Sequence, residues 1–454
     1  MKKIYKISGV LLFFIMFNVG IVFGANLPSS YDLRNYIDID VKNQSPFGIC
    51  YSYGMLTSIE TNLALRKNEY VDLSEIHFAI MSGQGEGGYY ETENDDYFKN
   101  NIGPVYEEDC SYTNFLYNYN NGDELDKYIG DWMVKEDEEN PIDQEKLKEY
   151  QNRLSGNKPA YKVTKTISFP NIYKEGYEIS TEEEIQKTRK SVKEHITKYG
   201  SVWAYVSMDQ YSIKNDYMVM NYNGEVQAPH VVSIVGWDDN FSKENFPDES
   251  KPKNNGAYLV LNSWGEDWGN NGYFWVSYED RWIETKLWGV ISVEELYDNI
   301  KTDSFTVKNE EDGSSIKNAN IKYGQKAEIN IDLSISKIIE DADIEVQIRN
   351  SKGVYTDYAE ISKSSINNNK ANITINLDTT KVNIGTYIID ILYGDNKISK
   401  SIRVVENTFR YIINEDNTIT ITGYTGKESN IEIPKEFMGH EVSSIGDYAF
   451  YANK

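Results

Sequence analysis

The chain has 454 residues, too many for one hydrophobic core, so two or three domains are expected. Its formal net charge of −25 repels polyanions, which argues against nucleic acid as a partner. Two cysteines are too few for a disulfide framework, and no His/Cys/Asp cluster has ligand spacing, so no metal or other cofactor is expected.

Residues 1–24 have the layout of a secretory signal. Lys2, Lys3 and Lys6 precede an apolar run over 10–17, and Gly24 and Ala25 offer a cleavage point. An uncleaved anchor is the alternative, because Ile21-Val22-Phe23 prolongs the apolar stretch. The expected location is secreted or at the cell surface.

A first unit is expected over 25–297. Leu56, Ile59 and Leu63 recur at helical spacing after Cys50, which puts that thiol at or near a helix N-terminus. The segment at about 118–158 is rich in tyrosine and asparagine, then charged at Lys135-Glu136-Asp137-Glu138-Glu139. It reads as a solvated acidic insertion with one short helix at 144–153. A further helix should begin at Ser180 or Thr181, since Ser180 and Glu183 have capping-box spacing. Ile185, Val192, Ile196 and Tyr199 form its apolar stripe, and Gly200 stops it. The β-branched and aromatic runs at 202–206, 231–235 and 257–261 are expected as buried strands.

From about residue 303 the alphabet changes. Ala327-Glu328-Ile329-Asn330-Ile331, Ile344-Glu345-Val346-Gln347-Ile348, Asn372-Ile373-Thr374-Ile375 and Tyr387-Ile388-Ile389-Asp390-Ile391 alternate between Gly, Asn and Asp turns. They predict an all-β sandwich over 303–406, of immunoglobulin-like size, serving as spacer or adhesion module. The tail, 407–454, carries Ile431-Glu432-Ile433-Pro434 and then Ile445-Gly446-Asp447-Tyr448-Ala449-Phe450. It resembles the start of a bacterial surface leucine-rich repeat array. One repeat cannot bury its own apolar face, so an incomplete array, poorly ordered in isolation, is expected.

The chemistry centres on Cys50, six residues after Gln44, with Pro229-His230 and Asn262-Ser263-Trp264-Gly265 downstream. A thiol, an imidazole and an amide in that order are the parts of a cysteine nucleophile and its base. The thiolate is the attacking species, so a thiol pKa of ~8.5 must be depressed. A helix N-terminus and an imidazolium at His230 are the expected sources. Asn262 can fix the other ring nitrogen, with Trp264 covering that bond. Gln44 can donate its amide, together with the Cys50 N–H, to an oxyanion.

These residues and their surroundings resemble the papain family of cysteine peptidases, in its secreted bacterial branch, over residues 27–297. Leu27-Pro28-Ser29-Ser30-Tyr31-Asp32-Leu33-Arg34 is similar to the family's mature start, and Val41-Lys42-Asn43-Gln44 to its oxyanion motif. Leu73-Ser74-Glu75, Gly87-Gly88 and the run from Asn262 to Tyr273 match further motifs. The resemblance implies an α+β fold, a helical left lobe and a β-barrel-like right lobe around a cleft. It also implies an endopeptidase acting on polypeptide through Cys50, His230 and Asn262, with Gln44 at the oxyanion. Gly87, Gly88 and Trp264 would then contact substrate.

The spacing from Cys50 to His230 exceeds the ~130 residues usual for the family by about the length of the insertion. Tyr51 stands in place of the family's tryptophan after the nucleophile, and Phe47 in place of a disulfide-forming cysteine. No inhibitory propeptide is legible between the signal and Leu27, so either no zymogen form is needed or the insertion or later domains supply the restraint. Two other readings compete: a catalytically silent, peptide-binding adhesin, and an acyl transferase using the same triad. His77, His195 and His440 have no partner motif and are expected to be structural or solvent-facing. Cys110 is expected to be an inert thiol, its pKa raised by neighbouring carboxylates.

Overall fold

The computed structural model describes residues 27–450 except 86–95, 135–141, 173–179, 209–210, 227, 297–298, 341, 351–352, 395, 406–408, 415, 417, 425–432, 434, 438–439 and 447–448. The signal-like residues 1–24 and the Gly87-Gly88 pair therefore lie outside the described residues, as do Ile431, Glu432 and Pro434 of the tail motif.

The central helix, α1 (Cys50–Lys67), starts at the expected thiol and is buried around most of its circumference through Leu63. Asn68 ends it in the left-handed conformation, φ 52°, a geometry Asn tolerates better than most residues. Shorter helices follow: α2 (Glu75–Ser82), capped by the Ser74 hydroxyl, and α3 (Asp96–Lys99). Then come α4 (Tyr112–Asn121), α5 (Glu124–Val134) and α6 (Gln144–Leu154).

The reading of a solvated insertion needs correction here. Only α6 was expected in that segment. The charged run at 135–139 lies outside the described residues, but of the rest Leu125, Ile129, Trp132, Met133, Leu147 and Tyr150 are buried in the same core as Phe47, Leu56 and Phe78. The polar residues that dominate the segment line the outer faces of α4–α6; a few well-spaced apolar side chains are enough to dock them.

The long helix α7 (Glu182–Tyr199) begins one residue later than the Ser180/Glu183 pair suggested. Its capping box is Thr181 with Glu184: the Glu184 carboxylate accepts from the Thr181 N–H at 2.8 Å. Thr188, Val192, His195 and Ile196 are its buried positions, with Ile185 and Tyr199 only half-buried.

Nine strands form the sheet on which α1 and α7 pack: β1 (Ser30–Asp32), β2 (Tyr161–Ser168), β3 (Val202–Ser207), β4 (Tyr211–Lys214), β5 (Tyr217–Met220), β6 (Pro229–Asp238), β7 (Ala257–Leu261), β8 (Tyr273–Ser277) and β9 (Leu287–Glu295). Their order is β2-β9-β3-β6-β7-β8-β5-β4, with β1 added on β6. The three apolar runs read from sequence lie in the central strands β3, β6 and β7. Gly54 lets α1 approach this sheet closely. A Cβ there would lie 2.6 Å from Val231 Cγ1 and 2.9 Å from Trp203 Cδ1.

Beyond it, β10 (Ile300–Asn309), β11 (Asn320–Lys322), β12 (Lys326–Ile335), β13 (Ile344–Asn350), β14 (Ala359–Lys363), β15 (Lys370–Asp378), β16 (Gly385–Tyr393) and β17 (Asn396–Val405) make two four-stranded sheets. Ile329, Ile331, Ile373 and Ile375 of one sheet share a core with Ile389, Ile391, Ile402 and Val404 of the other. Strict alternation explains this, since every second side chain points inward. The unit is docked on the end of α1. Ser401 N–H donates to Asn68 O at 2.6 Å, Arg403 Nη1 to Arg34 O at 2.7 Å, and Lys400 pairs with Glu69. The last strands, β18 (Phe409–Ile413), β19 (Ile419–Tyr424), β20 (Glu436–Phe437) and β21 (His440–Ile445), form a further sheet; β19 and β21 run parallel.

Candidate active site

Cys50 is the first residue of α1, where unpaired helix N–H groups carry partial positive charge. His230 is the second residue of β6, paired in register with Val206 of β3. Because α1 packs on β6 through Gly54, the N-terminus of the helix meets the start of the strand. The N–H of Val231, next in chain to His230, donates to Cys50 Sγ at 3.4 Å. Cys50 and His230 are only 8% and 6% exposed.

Asn262 immediately follows β7, the neighbour of β6. Its Oδ1 accepts from His230 Nε2 at 2.7 Å and from the Ser263 N–H at 2.8 Å. That bond places the imidazole proton on Nε2 in the neutral ring, leaving Nδ1 as the basic nitrogen. Trp264 stands over His230 with ring centroids 5.0 Å apart. It also meets Trp268 edge-on at 5.2 Å.

Gln44 joins the group through backbone pairing. Asn43 forms an antiparallel bridge with Trp264, and Gln44 N–H donates to Ser263 O at 2.9 Å. The Gln44 side chain is buried and held at both ends. Ser263 Oγ donates to its Oε1 at 2.5 Å, and its Nε2 donates to Phe47 O at 2.8 Å. Residues 43–48, Val134 and Trp264 line a groove of 510 Å³ beside it. Gly87 and Gly88 lie outside the described residues, so the arrangement here is built from Cys50, His230, Asn262, Gln44 and Trp264.

Burial opposes charge on both reactive groups. It pushes the Cys50 thiol up to about 11, against lowering contributions from the Val231, Tyr51 and Cys50 backbone. It pulls His230 down to about 4, with the Asn262 hydrogen bond acting in the opposite sense. Both shifts run against the thiolate–imidazolium pair expected from the sequence, so that pair would have to form against desolvation of sulfur and ring alike.

Several supporting residues escaped the sequence reading. Lys42 Nζ reaches Glu60 at 2.8 Å, Asp72 at 2.7 Å and Glu75 at 2.8 Å. Burial works against its charge, but those three carboxylates more than offset that and hold the ammonium well above its usual range. The knot ties the strand leading to Gln44 onto α1 and α2. Its only sequence signal was a lysine inside the Val41-Lys42-Asn43-Gln44 motif. Ser263, likewise inside a recognised motif, had drawn no comment.

The departures noted in the sequence are filled differently. Tyr51 is fully buried and its hydroxyl donates to Gln84 O at 2.6 Å. Phe47 sits edge-on to Tyr112, Phe115 and Tyr119. His77 and His195 are buried, with His77 Nδ1 2.8 Å from the Tyr97 hydroxyl. Cys110 is raised to about 12, by burial first; the carboxylates of Glu107, Asp109 and Asp126 only add to it.

Residues 27–290 match the sequence model described as papain family cysteine protease, more than half of the chain. The chain belongs to the papain family of cysteine proteases. This papain-family chain is 23% identical over 252 residues to a viral cathepsin of Choristoneura fumiferana nuclear polyhedrosis virus. The match takes in 54% of this chain and 58% of that relative's length. Among solved structures, it is similar to the cysteine protease and lectin-like domains of Cwp84, a surface layer associated protein of Clostridium difficile. That similarity has TM-score 0.43 and 19% identity, covering 83% of this chain and 85% of that one. A digestive procathepsin L 3 of Tenebrio molitor larval midgut gives TM-score 0.36 and 15% identity, covering 60% and 72%.

Proposed function

We propose that this chain is a cysteine endopeptidase that cuts extended polypeptide in a cleft between its helical half and its β-rich half. Cys50 Sγ attacks the scissile carbonyl as its proton passes to His230 Nδ1. His230 then protonates the leaving amine, and water releases the acyl group from sulfur. Asn262 keeps Nε2–H occupied, so the basic nitrogen stays directed at the thiol. Of the two N–H bonds on Gln44 Nε2, Phe47 O takes one; the other, with the Cys50 N–H, receives the oxyanion.

The observation that carries the reading is the His230–Asn262 hydrogen bond of 2.7 Å, formed where the neighbouring Val231 N–H contacts Cys50 Sγ. A fluorogenic peptide panel on the wild type and Cys50→Ala tests it. Hydrolysis by the wild type alone is expected; equal rates in both would reject the mechanism.

The setting we infer is secreted or surface-attached. The signal-like start and the net charge of −25 support it, and no helix among the described residues is long and apolar enough to cross a membrane. The two-sheet unit, read as immunoglobulin-like, and the repeat-like tail would then serve display or adhesion.

A further inference from the structure

The segment that carries Gln44 has no helix or strand of its own between residues 44 and 49. What holds it comes from α4 and α5. The Tyr112 hydroxyl, at the start of α4, shares its one proton between two carbonyls, Gln44 O at 2.6 Å and Ser45 O at 2.8 Å. Gly48 N–H donates to Met133 O near the end of α5 at 2.7 Å. Between them the Phe47 ring meets Tyr112, Phe115 and Tyr119 edge-on at 5.7, 5.4 and 5.4 Å. The Tyr112 ring also packs edge-on to Tyr53 of α1, one turn from Cys50, with centroids 6.3 Å apart.

We propose that Tyr112 is a positioning residue for the oxyanion-stabilising amide: it acts through Gln44, fixing the peptide planes on either side of the 44–45 link. Gln44 is anchored toward the β half by Ser263 and toward the helical half by Tyr112. With one anchor gone, the backbone carrying the amide can rotate, and displacement of about 1 Å is enough to cost a donor its aim. A role of this kind gives the start of α4 a part in the reaction itself. The inference rests on the peptidase reading above.

Tyr112→Phe removes the hydroxyl and keeps the ring packing on Phe47 and Tyr53. On the full chain, three quantities separate its effect: kcat and KM for a fluorogenic peptide, affinity for a peptide aldehyde, and the rate of Cys50 alkylation by iodoacetamide. Hydrolysis and aldehyde addition both create an oxyanion; alkylation at sulfur creates none. The expected result is a kcat about tenfold or more lower, KM within about twofold, aldehyde affinity reduced in step with kcat, and alkylation unchanged. In a Gln44→Ala background, Tyr112→Phe should cost nothing further, because the two act as one unit.

An unchanged kcat would overturn the proposal. So would a tenfold loss that persists without Gln44, or alkylation that slows in parallel with hydrolysis. Wild-type protein that binds the aldehyde but cuts no peptide would sink the peptidase reading instead, and aldehyde affinity in Tyr112→Phe would still decide the role of Tyr112. Wild-type protein inert to both would remove both ideas.

Discussion

In the proposed mechanism Asn262 acts by geometry, so its loss should show in rate before stability. Asn262→Ala leaves His230 free to turn and lets either ring nitrogen take the proton. We expect kcat to fall on the order of 10²-fold, with a smaller change in KM, as judged by steady-state kinetics on one peptide. A drop in KM-limited binding with kcat intact would argue that Asn262 only shapes the cleft. At this scale the sequence was most informative about where to look: Cys50, His230, Asn262 and Gln44 stand out by type and order, and folding brings Asn262 onto His230 and the Val231 N–H onto Cys50. What it hid were residues that act through others. Ser263 is an ordinary hydroxyl until folding puts it 2.5 Å from Gln44, and Tyr112 is one of 36 tyrosines until its hydroxyl meets two carbonyls. The opposition of burial to charge on Cys50 and His230 also could not be read from a motif, since it depends on how completely both groups leave water.

Between elements, two close approaches align the site. The first is α1 on β6 at Gly54, where any side chain would meet Val231 and Trp203. Gly54→Val should push the helix off the strand and separate Cys50 from His230. We expect hydrolysis to fall at least tenfold and thermal stability to drop by ~1–3 kcal/mol of overpacking strain. Wild-type activity in Gly54→Val would show that this approach does not set the pair. The second is the Lys42 knot. Lys42→Met leaves Glu60 and Glu75 buried without their cation, which should cost roughly 3–5 kcal/mol in denaturant unfolding. The helices and strands that sequence located were those with clean periodicity, such as α1, α6, α7 and the central strands. The helices of the insertion were missed because their buried positions are diluted by tyrosine, asparagine and charge. The short strands β4 and β5 had too brief a pattern to stand out.

At the scale of the whole molecule, the two-sheet unit braces the helix that bears the nucleophile. Lys400 and Glu69 are 6% and 2% exposed at their side chains, so neither charge has water to fall back on. Lys400→Ala should therefore destabilise the chain by roughly 3–5 kcal/mol, and the loss should appear in the unfolding of the peptidase unit. Unfolding confined to the two-sheet unit would contradict that coupling. The alternation of residues 327–391 made the sheets legible from sequence. Their docking on Asn68 and Glu69 was not, because contacts between distant segments leave no local period.

The proposed mechanism passes a proton from Cys50 to His230, and the pH dependence of Cys50 alkylation tests that step most directly. Burial opposes charge on both the thiol and the imidazole, so in the proposed mechanism His230 takes the proton as sulfur reacts. Iodoacetamide should then modify the wild type at a rate nearly flat from about pH 5 to pH 8. In His230→Ala the rate should be lower throughout and climb about tenfold per pH unit toward the thiol's own pKa. Superimposable profiles for the two proteins would contradict the account.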